Sequence, residues 1–175
     1  TARENFYKWL ETEKIVCEPR FQLTEYITLP DSTSSMSKSL YQTEGKMDGL
    51  EYKMALAMTN MDNIRWWHRN PDKKPYAVRV VRAEHEHYFY PDFVVCVEHT
   101  PGSPPMQRLL ETKENTKDAA RKMQHFPPVY GQVLFLTPDG NRLRWVNADG
   151  SLGETVKLTE MDAVRERLAQ TVGVG

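Results

Sequence analysis

The run Phe93-Val94-Val95-Cys96-Val97 constrains the fold of this chain more than any other stretch. Consecutive apolar residues do not alternate between core and solvent, so a strand built from them is covered on both faces. Such a strand needs a packed layer on each side. Leu50, Met54, Ala57, Met58 and Met61 recur at spacings of three and four. That pattern predicts an amphipathic helix capped by Asp48 and ending near Asn63. Strands are predicted at 76–81, 88–97, 107–112 and 133–136. A hairpin turn at 83–87, a Pro-rich loop at 100–105 and a helix at 117–125, ended by Pro127 and Pro128, connect them. The order helix, strand, strand, strand, helix, strand predicts an α/β (α+β) domain with a mixed central sheet flanked by helices.

The flanks read less regularly. Residues 6–14 have the pattern of a short amphipathic helix and 15–29 read as extended. The Ser-rich stretch 31–39 reads as a loop, and His68-Arg69-Asn70-Pro71 as a turn. Toward the C-terminus come a hairpin turn at 138–141, a strand at 143–146, a turn at 147–150 and a closing helix at 159–170.

At 175 residues the chain is sized for a single domain with a core of its own. No apolar stretch of about 18 residues is present, so no membrane partner is expected. The first ten residues lack the apolar run of a signal peptide, and the chain does not begin with Met; the expectation is a domain excised from a longer protein. Cys17 and Cys96 are too few and too isolated for a disulfide framework or a zinc ribbon, and read as reduced, buried thiols in a cytoplasmic protein. The formal net charge of -1 argues against strong intrinsic affinity for nucleic acid. Two local groups of basic residues stand out: Lys113, Lys117, Arg121 and Lys122, and Arg65, Arg69, Lys73 and Lys74. A near-neutral domain with local basic patches fits one tethered to a partner that holds the DNA.

Chemistry is concentrated where two apolar runs meet polar sequence, at Tyr90-Pro91-Asp92-Phe93 and Leu110-Glu111-Thr112-Lys113. An ionised carboxylate at the edge of a core is costly to desolvate, and a divalent cation offsets that cost. Mg2+ takes oxygen ligands, typically one or two protein carboxylates with substrate phosphate and water. Asp92 and Glu111 meet that requirement if their strands are neighbours, with the Thr112 backbone carbonyl as a third oxygen. Residues i and i+2 of a strand share a face, so Lys113 faces the same site as Glu111. It is suited to orient a nucleophile or to stabilise charge developing on phosphorus.

Pro91-Asp92 and Glu111-Thr112-Lys113, with 18 positions between Asp92 and Glu111, resemble the signature of the PD-(D/E)xK nuclease superfamily. The resemblance implies a restriction-endonuclease-like core in the order α-β-β-β-α-β, a Mg2+ cofactor for which Mn2+ substitutes, and a metal contact from an acid on the first helix, here Glu51. It further implies a polar contribution from the helix after the motif, for which Lys117, Arg121 and Gln124 are candidates. Over positions 40–137 the chain is most similar to the C-terminal endonuclease domain of type III restriction enzyme cleavage subunits and related defence helicase-nucleases. The matching residues are Leu40-Tyr41, Glu51, Ile64-Arg65-Trp66-Trp67-His68-Arg69-Asn70-Pro71, Tyr90-Pro91-Asp92-Phe93 and Glu111-Thr112-Lys113. Glu114 departs from that branch, whose members usually carry Gly after the motif lysine. By this resemblance the domain divides into an N-terminal extension (1–39), a nuclease core (40–137) and a C-terminal hairpin and helix (138–175). The resemblance also implies double-stranded DNA as the substrate, a bacterial or phage setting, a dimer as one way to cut both strands, and a motor in a separate region or chain, since no Gly-x-x-x-x-Gly-Lys-Ser/Thr loop occurs here.

Other features have plainer readings. Trp66 and Trp67 follow a helix, where paired aromatics usually pack in a core, although they are also suited to stack on bases. His68 and Arg69 are candidate phosphate contacts beside Lys117, Arg121 and Lys122. His85 and His87, alternating with Glu84 and Glu86, fit a solvated turn better than a metal cluster. The rival from another functional class is a PD-(D/E)xK-like fold that has lost catalysis and serves as a DNA-binding or assembly module.

Overall fold

The structure, a computed structural model, describes residues 2, 5, 23–25, 27, 32–80, 88–113, 133–139, 142–147, 149–156 and 162–169. The expected N-terminal helix and extended segment, the helix at 117–125 and the turn at 83–87 lie almost wholly outside them. In chain order the elements are β1 (Ser32–Ser34), β2 (Glu44–Gly45), α1 (Gly49–Asn60), β3 (Ile64–Arg69), β4 (Phe93–Val97), β5 (Met106–Thr112), β6 (Leu134–Asp139), β7 (Arg142–Val146), β8 (Leu152–Val156) and α2 (Asp162–Ala169). The main sheet runs β3-β4-β5-β6-β7-β8. All of its pairs are antiparallel except β5–β6, which is parallel. The architecture is therefore α+β around a mixed sheet.

The apolar run is β4, and every residue of it is buried. Phe93, Val95 and Val97 join a cluster with Met54, Met58, Trp67, Leu110, Leu136, Trp145, Val164 and Leu168, so α1 and α2 contribute to the core on this face. Val94 joins a second cluster on the opposite face with Val78, Val80, Phe89, Leu109 and Phe135. One strand serving two cores explains why it contains no polar residue.

Asp48 starts α1 by accepting from the Leu50 and Glu51 amides, while the Glu51 side chain accepts from the Asp48 amide. This reciprocal capping box fixes the first turn. Met54, Ala55 and Met58 bury the inner face of the helix. Trp67 in β3 donates its indole N–H to Thr59 Oγ1 at 3.1 Å, tying strand to helix.

Several expected boundaries move. His68 and Arg69 belong to β3, paired with Val94 and Phe93, and the chain turns only after them. Within 76–81, Val80 makes a single bridge to Phe89, so the first strand of the sheet is 64–69. Ser32–Ser34 pairs irregularly with Glu44–Gly45 where a plain loop was expected. The edge strand β8 was not anticipated. Only Val156 of it is buried, which leaves little hydrophobic pattern to read. Among the described residues no helix is long and apolar enough to cross a membrane.

Candidate active site

Register brings the acids together. Phe93 lies opposite Leu110 in the β4–β5 ladder, so the next residues outward, Asp92 and Glu111, meet at the rim of the sheet. The Asp92 amide donates to Glu111 Oε2 at 3.0 Å. In return the Thr112 amide and hydroxyl donate to Asp92 Oδ2 at 2.7 and 2.8 Å. The start of β4 and the end of β5 are thus locked by the side chains that carry the candidate chemistry. The α1 capping box places Glu51 at the same rim, its Oε2 held by the Asp48 amide at 2.8 Å.

Each of the three carboxylates therefore has one oxygen fixed by a main-chain N–H. The other oxygen of each faces a cation. Lys113 Nζ is 2.9 Å from Glu111 Oε1. One guanidinium nitrogen of Arg69 pairs with Glu51 Oε1 and lies 3.9 Å from Asp92 Oδ1. Burial holds the Glu51 carboxyl above its usual range; the Arg69 charge and the Asp48 amide act against that shift, and the Asp92 charge adds to it.

Two buried polar groups hold this rim from behind. Glu44 Oε2 accepts from the Arg69 amide at 3.0 Å and lies 2.8 Å from His68 Nδ1. Ser39 Oγ donates to Glu44 Oε1 at 2.8 Å. The Asn70 amide side chain donates to the carbonyls of Val78 and Pro91 and accepts from the Val78 amide, each at 2.8 Å. Asn70 also donates its own N–H to the Asp92 carbonyl at 2.8 Å. Residues 91 and 92 are thus held from both sides. Glu44 and Asn70 were missed as supports, since neither sits in a periodic pattern that marks burial. The resemblance does include Asn70, without a role for it.

The structure brings Glu51, Asp92, Glu111, Thr112 and Lys113 into one cluster and adds Arg69 to it. The expectation that His68 contacts DNA is corrected: its side chain is 0% exposed and Tyr41 packs edge-on against its ring at 4.8 Å. It sits beneath the site, and a phosphate has no access to it. Arg69 is 17% exposed and engaged with the acids. The basic group of Arg65, Arg69, Lys73 and Lys74 is not one patch. Arg65 lies at the far end of β3, paired with Glu98, and four strand steps separate it from Arg69 by about 13 Å. Trp67 is core, and Trp66 packs partly buried against the second cluster. Cys96 is buried. Cys17, Glu84, His85, Glu86, His87, Glu114, Lys117, Arg121, Lys122 and Gln124 lie outside the described residues.

Among the described residues, no group of three or more His, Cys, Asp or Glu side chains is placed to hold a metal ion. The donor set still suits a hard cation. It consists of carboxylate oxygens, each with its partner oxygen already fixed, beside positive charge that a dication would replace or join. Mg2+ needs only one or two such ligands. No protein-family model, curated protein or solved structure matches this chain.

Proposed function

We propose that the chain is a Mg2+-dependent nuclease domain with a restriction-endonuclease-like core, hydrolysing DNA phosphodiesters. One observation carries the reading. Three carboxylates from α1, β4 and β5 stand at one rim of a mixed sheet, each with one oxygen fixed by the main chain and the other turned toward Arg69 or Lys113. Asp92 and Glu111 would hold the cation, assisted by Glu51 and by the Thr112 carbonyl. When bound, Mg2+ polarises a phosphoryl oxygen and makes water a better nucleophile at neutral pH. Thr112 keeps Asp92 from rotating away. Lys113 places an ammonium beside the same carboxylates, where it orients water or offsets charge building on phosphorus.

In this reading the domain is the cutting part of a larger type III restriction-like or other defence helicase-nuclease. A motor in the same or a partner chain delivers duplex DNA, and paired copies cut both strands. The test is incubation with plasmid and oligonucleotide substrates in Mg2+, Mn2+ or EDTA. Cutting should require the metal. Asp92→Asn and Lys113→Ala should each lower the rate by about 100-fold or more with unchanged circular dichroism. Full activity in either variant would remove these residues from the chemistry. Absence of both cutting and Mn2+ binding in the wild type would favour a non-catalytic DNA-binding or assembly module.

A further inference from the structure

Arg69 does something at this rim that orientation of the acids does not require. Glu51 is already fixed through Asp48, and Asp92 through Thr112. The guanidinium adds charge: it pairs with Glu51, approaches Asp92 Oδ1 at 3.9 Å, and donates to the carbonyls of Asn70 and Asp92. Its backbone is held in β3 opposite Phe93 and by Glu44, but its side chain is long and 17% exposed. The head group is therefore able to leave without moving the strand.

We propose that Arg69 is the resident counter-cation of the carboxylate cluster, filling the space between Glu51 and Asp92 in the metal-free chain and yielding it when a divalent cation binds. The inference rests on reading those acids as a metal site. Its placement supports it: one guanidinium nitrogen pairs with Glu51 Oε1 and lies 3.9 Å from Asp92 Oδ1, between two of the oxygens that a cation would take. A monocation in that place keeps the buried acids together when no metal is present, and it competes with the metal for the same oxygens. The displaced guanidinium remains tethered at the rim, where its planar fork suits a substrate phosphate.

The exchange sets a sign that a purely structural arginine would not. Calorimetric titration with Mn2+ compares wild type, Arg69→Met, Arg69→Gln and Asp92→Asn. Removing the competitor should tighten Mn2+ binding on the order of tenfold and lower the melting temperature of the metal-free protein. Asp92→Asn should abolish binding. Unchanged or weaker Mn2+ binding by Arg69→Met, with Asp92→Asn still null, overturns the inference and leaves the metal site standing. Mn2+ binding by neither wild type nor Arg69→Met overturns both. If Arg69→Met does not fold, Arg69→Gln decides: it removes the charge but keeps a polar head group, so binding should still tighten by several-fold, and equal or weaker binding counts against the exchange.

Discussion

At the scale of single residues, Glu51 carries opposing demands. It caps its own helix through Asp48, pairs with Arg69 and stands near Asp92, all while buried. Burial dominates and raises its carboxyl pKa above the ordinary value of 4.5, against the pull of Arg69 and Asp48. Between the ordinary value and the raised one, the folded chain keeps a proton that the unfolded chain has lost. Stability contributed by Glu51 is therefore largest in acid and declines as pH rises through that window. Glu51→Gln removes this titration. Urea midpoints measured from below pH 4.5 toward neutrality should show the wild type losing ground to Glu51→Gln; a difference that grows in the wild type's favour would contradict the burial argument. Asp92, Glu111 and Lys113 were legible because strand ends and i, i+2 spacing are written in the local sequence. The pairing of Arg69 with Glu51 is not legible, because the acid is brought alongside only by the way α1 packs beside β3. His68 was misread for a related reason: its burial depends on Tyr41 and Glu44, and no local spacing announces them.

At the scale of elements, the joint between β3 and β4 is as important as either strand. Asn70 fills it, buried and meeting one amide and two carbonyls. Asn70→Ala should cost on the order of 3 kcal/mol, because three buried backbone groups lose their partners at once. Chemical denaturation measures that loss. A change below about 0.5 kcal/mol, the usual range for surface substitutions, would mean that the joint holds without it. The start of helix α1 is legible, since the Asp48 cap and the methionine spacing agree, while its end at Asn60 falls short of the Asn63 expected. β4 was legible from its unbroken apolar run. β3 was half hidden, because its end carries buried polar residues that resemble a turn. β8 was hidden altogether: an exposed edge strand has no second core to write a pattern for.

At the scale of the whole molecule, a net charge of -1 argues against strong affinity for DNA, and the described rim cations Arg69 and Lys113 are engaged with acids. The isolated domain should bind duplex weakly. Anisotropy titrations of Asp92→Asn without divalent metal should give a plot of log affinity against log salt with a slope of about -3 or shallower. A steep slope would reveal a phosphate-binding surface that the near-neutral composition hides. The parallel β5–β6 pair has a consequence in time. Thr112 is paired with Leu136, and the Lys113 amide donates to the Leu136 carbonyl at 2.8 Å. Until the ribosome has released that far strand, β5 is open along the side away from β4. In a nascent chain the end of β5 therefore waits for a segment made well after Lys113 to return and lie alongside it.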